Sequence, residues 1–92
     1  AMPMRLVTYE PQNPANKKAI KNEIKAYKEW REINESVYLI VTADPPKRMY
    51  ARMKKHIDDD DKLYIFNITQ PAAGTGPDTL NDWVKANLPS WK

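Results

Sequence analysis

Asn34-Glu35-Ser36-Val37-Tyr38-Leu39-Ile40-Val41-Thr42 is the stretch on which the fold turns. Two polar residues and a serine lead into six residues that are all β-branched, aromatic or leucine, the composition of a pleated strand. Its two faces are Val37, Leu39, Val41 and Tyr38, Ile40, Thr42, and neither is clearly polar. A strand with one wet face alternates, so this one is expected inside a sheet with both faces covered. The preceding Trp30-Arg31-Glu32-Ile33, turned at Asn34-Glu35, supplies the first arm of a hairpin.

Working outward, Met4 to Glu10 reads as a first strand, with Leu6 and Thr8 on one face and Val7 and Tyr9 on the other. Pro11 stops it. Asn13-Pro14 then offers a helix start, asparagine as N-cap and proline at the first helical position, where a missing N–H costs nothing. Ile20, Ile24 and Tyr27 recur at helical spacing, which predicts an amphipathic helix ending near Glu29 or Trp30. After the hairpin, Asp44-Pro45 repeats the start signal, with Asp44 as the expected cap. The second helix is expected to bury Met49, Tyr50, Met53 and Ile57. Lys62 to Thr69 makes another strongly apolar strand, and a loop from Gln70 to Pro77 holds both glycines. Asp78 can cap a last helix carrying Leu80, Trp83, Val84 and Leu88, stopped by Pro89.

Strand, helix, strand, strand, helix, strand, helix is the order of an α+β ferredoxin-like plait with an added C-terminal helix. Residues 1–92 are expected to form this one domain, with an antiparallel sheet in the order four-one-three-two. Both crossover helices cover one face, so the last helix or a second copy of the chain must cover the other. A homodimer is expected on that account, because an exposed face of large apolar residues exceeds what a monomer usually shows. Tyr38, Ile40, Tyr64 and Phe66 are the candidate interface residues.

Composition removes several classes. The 92 residues include no cysteine, so no disulfide framework or thiolate metal site exists. No apolar run is long enough to span a bilayer and no signal peptide is visible, so a cytoplasmic protein without a membrane partner is expected. No nucleophile-and-base pair, glycine-rich phosphate loop or His/Cys metal spacing occurs. The aromatic residues suit core and interface positions better than a base-stacking platform, which argues against an RNA-recognition motif on this plait.

The net charge of +3 is unevenly placed: four of the twelve acidic residues form the run Asp58 to Asp61, leaving fifteen basic against eight acidic elsewhere. In a plait, the end of the first strand lies beside the start of the fourth, so Glu10 should meet this run. Two readings stay open. Asp58 to Asp61 is a solvated turn with one member capping local backbone N–H groups, or Glu10, Asp60 and Asp61 converge as oxygen ligands for a hard cation such as Mg²⁺. Arg48, Arg52 and Lys55 fall on one stripe of the second helix, either a wet surface or a sequence-independent contact to nucleic-acid phosphates.

The pattern resembles a known family. The residues that carry it are Tyr9-Glu10 ending the first strand, Ser36-Val37-Tyr38-Leu39 opening the third, and Asp60-Asp61-Lys62-Leu63-Tyr64-Ile65 leading into the fourth. They are similar to the small CRISPR-associated protein of the second type (Cas-two) and its bacterial relatives. The Trp30 to Tyr38 segment and the acidic entry to the fourth strand are most like the SinR-like ones. The resemblance spans about residues 4 to 88. It implies a homodimer that handles DNA or RNA, with some members metal-dependent nucleases and others structural. The family's metal-binding aspartate falls on Glu10, which is a methylene longer and is followed by Pro11.

Catalysis tolerates such misplacement poorly. The expectation is therefore a nucleic-acid-binding or structural homodimer with little or no catalysis, no catalytic residue and no firm cofactor. The alternatives are a Mg²⁺-dependent nuclease acting on phosphodiester bonds, and a protein-interaction module of a toxin–antitoxin or mobile-element system.

Overall fold

The computed structural model describes residues 2–90. Its strands are β1 (Met4–Glu10), β2 (Glu29–Asn34), β3 (Val37–Val41) and β4 (Lys62–Ile68). Helix α1 (Pro14–Lys25) follows β1, α2 (Pro46–Met53) follows β3, and α3 (Asp78–Asn87) follows β4. A 3-10 turn, Lys54–His56, closes α2.

The helix starts were half legible. Asn13 caps α1 as expected, its side chain accepting from the Ala15 N–H at 2.9 Å with Pro14 at the first position. The cap of α2 is Pro45, with Pro46 at the first position and no side-chain cap bond, so Asp44 does not fill that role. Likewise Pro77 caps α3 and Asp78 lies within its first turn. Helix α1 stops at Lys25, earlier than its periodicity suggests. Trp30 is claimed by the sheet instead: it pairs with Ile40, and its ring lies 6.3 Å from that of Tyr38.

β1 pairs with β3 and β4, and β2 pairs with β3, all antiparallel. The sheet order is β2-β3-β1-β4, which read from the β4 edge is four-one-three-two. The apolar Val37–Val41 strand is therefore interior, as its composition requires. This α+β arrangement is compatible with a ferredoxin-like fold.

Strand alternation divides the core in two. On the first face Val7, Tyr9, Tyr38, Ile40 and Leu63 pack under Ile20 and Ile24 of α1 and Met49 and Met53 of α2. Burial of each such side chain stabilises by about 1.5–3 kcal/mol. Tyr50 points away from this core and is exposed, contrary to its helical position. On the second face Met4, Leu39 and Val41 pack with Trp83 of α3, flanked by Leu6, Ile68, Val84 and Leu88. The last helix thus lies under one end of the sheet and leaves the other end bare. Among the described residues, no helix is long and apolar enough to cross a membrane.

Candidate interaction surface

The acidic end of the sheet is built as a turn. The Asp61 carboxylate accepts from the Asp58 N–H at 2.8 Å, the Gln12 N–H at 2.9 Å and the Asn16 amide at 3.3 Å. These donors, the Asp58 N–H foremost, hold its carboxyl below the usual aspartate range. Asp60 is exposed, and Glu10 sits opposite Lys62 in the ladder. By strand alternation Glu10 belongs to the second face, with Thr8 and Tyr64. Asp61 reaches the other way, to the start of α1.

Mg²⁺ requires converging oxygens at about 2.0–2.1 Å, and this donor set does not fit it. Among the described residues, no group of three or more His, Cys, Asp or Glu side chains comes together as ligands.

The basic stripe is packed against carboxylates that its own helix does not supply. Arg52 lies 3.4 Å from Asp44 and 3.8 Å from Glu23, with its guanidinium 5.3 Å over the Tyr27 ring. Arg48 pairs with Asp44 at 3.8 Å and Lys55 with Glu23 at 3.9 Å. His56 also meets Glu23, at 2.8 Å, and is half-buried. The Tyr27 hydroxyl donates to Asp44 at 3.0 Å. Burial, reinforced by that bond, pushes the Tyr27 phenol up to about 12. Asp44 and Glu23 therefore neutralise much of the stripe that spacing alone presents as free charge.

The four interface candidates divide, and two are corrected. Tyr38 is 1% exposed and Ile40 0%. Both lie on the first face beneath α1 and α2, where Tyr38 stacks on Tyr9 and donates to Glu32 at 2.8 Å. Neither can touch a partner while those helices are in place. Tyr64 and Phe66 lie on the second face, 58% and 51% exposed, beyond the reach of α3. Their rings stack on each other, 6.1 Å apart and 16° from parallel. A single exposed aromatic is ordinary, but these two are adjacent on one strand face and form a contiguous aromatic patch.

No protein-family model matches the sequence, and no curated protein matches it. The sheet edges then show where contact with another chain is guarded against and where it is not. Edge strand β2 carries Glu29, Arg31, Glu32 and Asn34, and its ladder is irregular between Glu32 and Asn34. Charges and bulges of this kind deter further strands. Edge strand β4 is in register with β1 over its whole length and has no charged residue after Lys62. Beside it, between α2 and β4, runs a groove of about 540 Å³ whose lining includes Tyr50, Ile57, Leu63 and Ile65.

One internal group that sequence reasoning missed is Arg5. It is only 7% exposed, its Nε donates to the Asp44 carbonyl at 3.0 Å, and its Nη1 donates to the Asn67 side chain. The signal was there in period two, since Arg5 shares the face of Val7 and Tyr9.

Proposed function

We propose that this chain is a small homodimeric interaction module of the Cas-two-like kind, on a ferredoxin-like plait, that binds or scaffolds without cleaving. The observation that carries this reading is the exposed Tyr64–Phe66 stack on a sheet face whose other end is core. Burying the open parts of two such aromatic residues from each of two copies favours association, since about half of each is still exposed. Sedimentation equilibrium at micromolar concentration should give about twice 10.7 kDa. The Tyr64→Ser/Phe66→Lys double variant should sediment as a single chain with unchanged circular dichroism. A single-chain mass for the unmodified protein throughout the micromolar range overturns the reading.

A second reading, contact with nucleic-acid phosphates, is favoured by the exposure of Arg48 and Lys55, whose side chains are 70% and 65% accessible despite their carboxylate partners. Replacing Arg48, Arg52 and Lys55 with glutamine should weaken duplex DNA binding to a similar degree across sequences. Each lost phosphate contact flattens the salt dependence by about one unit of slope. Arg52 lies between Asp44 and Glu23, so a change of about two units is expected rather than three. Absence of binding by the unmodified protein at low salt removes this second reading. In the same samples with Mg²⁺, no cleavage that depends on Glu10 is expected. Cleavage lost in Glu10→Ala would restore the nuclease alternative.

A further inference from the structure

The homodimeric reading leaves open how two copies meet, and β4 carries enough pattern to say. This strand spans Lys62–Ile68, so its midpoint is Ile65. An antiparallel strand laid along it over its full length must share that midpoint if it is a second copy of the same strand. Tyr64 then faces the partner's Phe66, Phe66 faces the partner's Tyr64, Leu63 faces the partner's Asn67, and Ile65 faces itself. The two aromatic pairs, already stacked within each chain at 6.1 Å, become one four-ring cluster on the second face.

Other registers are poorer. A shift that centres the pair on Tyr64 sets Lys62 against the partner's Phe66. A shift that centres it on Phe66 leaves Tyr64 against Ile68 and runs Lys62 past the strand. A register of opposite parity turns one copy over, setting the aromatic face of one chain beside the helix-covered face of the other.

We propose that two copies join through the unpaired edges of β4, antiparallel and centred on Ile65, so that two four-stranded sheets form one sheet of eight. The proposal rests on the homodimeric reading and adds the interface to it. Three observations point to a second copy as the occupant. Among the described residues the β4 edge has no neighbouring strand and the strand has no internal charge, whereas β2 has both charge and an irregular ladder. The two positions flanking the centre of the strand are both aromatic, Tyr64 and Phe66, while the outer pairs set Leu63 against Asn67 and Lys62, at the very end, against Ile68. The groove between α2 and β4, lined by Tyr50 and Ile57 with Lys47, Asp61 and Lys62 among its other walls, leaves room on the helix side for a new strand pair. With β2 guarded, such a pairing closes at two copies around a twofold axis instead of propagating.

The chain has no cysteine, so introduced thiols report on this register alone. Tyr64→Cys and Phe66→Cys chains are to be mixed, exchanged and oxidised mildly, with each variant oxidised alone as the control. Facing residues across an antiparallel pair have Cβ atoms about 4.5–5.5 Å apart, and diagonal ones stand about 7–8 Å apart. Disulfides need Cα atoms within about 7 Å. Disulfide-linked heterodimers should therefore dominate the mixture and be nearly lost in the single-variant controls. Each heterodimer keeps one intact aromatic pair, and circular dichroism of both variants checks that they fold.

If the unmodified protein sediments as a dimer but the mixture gives no more heterodimer than the controls give homodimer, the edge pairing is overturned and the dimer stands. If the unmodified protein is a single chain, both this inference and the homodimeric reading fall. Open-ended assemblies larger than two copies also overturn the closed pairing.

Discussion

Trp83→Ala is expected to destabilise the protein by about 3–5 kcal/mol, the range for truncating a buried aromatic side chain to alanine. The indole is buried against Met4, Leu39 and Val41 and is the principal α3 side chain in that cluster. It is held from the other side too: the Arg31 guanidinium lies 4.9 Å over the ring, and the indole N–H donates to Glu29 at 3.3 Å. Cation–π contact at such a site adds about 0.5–1 kcal/mol. Apart from these contacts, α3 is moored near its end by the Gln70 N–H, which donates to the Pro89 carbonyl at 2.9 Å. Against a total stability of about 5–15 kcal/mol for a small domain, the loss is a large fraction. Urea unfolding followed by circular dichroism measures it, and hydrogen exchange in α3 should accelerate more than exchange in β1. A cost below about 1 kcal/mol would mean that α3 is not what dries the second face.

Arg5→Ala is the second large effect, about 2–4 kcal/mol, because the change leaves polar groups without partners in a buried place. The Asp44 carbonyl loses its donor and Asn67 loses the group it accepts from. Asp44 is also the residue whose carboxylate takes the Tyr27 hydroxyl and Arg52, so the ordering of the β3–α2 connection depends on Arg5 indirectly. Arg5→Lys keeps the charge but not the forked geometry and should recover only part of the loss. A double-mutant cycle between Arg5 and Asn67 should return a coupling of about 1 kcal/mol or more. Additive single and double variants would show that the pair contributes nothing of its own.

Much of the architecture could be read from local pattern. Val37–Val41 declared itself interior by having no polar face, and Asn13-Pro14 declared a helix start through the chemistry of the two residues. At Asp44 the same signal misled because two prolines follow it. Pro46 takes the first helical position, the cap moves to Pro45, and the carboxylate is released to serve tertiary partners. Period two fixes which residues share a strand face but not which face the helices will cover. Tyr38 and Ile40 therefore looked equivalent to Tyr64 and Phe66, though the first pair is core and the second is bare. The basic stripe misled for a related reason, since its carboxylate partners come from α1 and from the loop before α2. For Asp58 to Asp61, both readings were open in the sequence. The hydrogen bonds of Asp61 to Gln12, Asn16 and Asp58 make the run a turn that ties β4 to the start of α1.

The placement of α3 bears on how the molecule is made. It follows all four strands in the chain, yet it supplies the cover for one side of the sheet they form. On a ribosome, which delivers the chain from its N-terminus, the first side can be roofed as soon as α2 and β4 have emerged, since both crossover helices precede the last strand. The other side has to wait for Trp83. During that interval a nascent chain presents Met4, Leu39, Val41 and Ile68 to solvent, next to the Tyr64 and Phe66 rings that α3 never reaches. Exposed apolar surface beside an open strand edge is what draws incomplete chains together. Neighbouring chains on one messenger would expose this surface to one another before either has α3 in place.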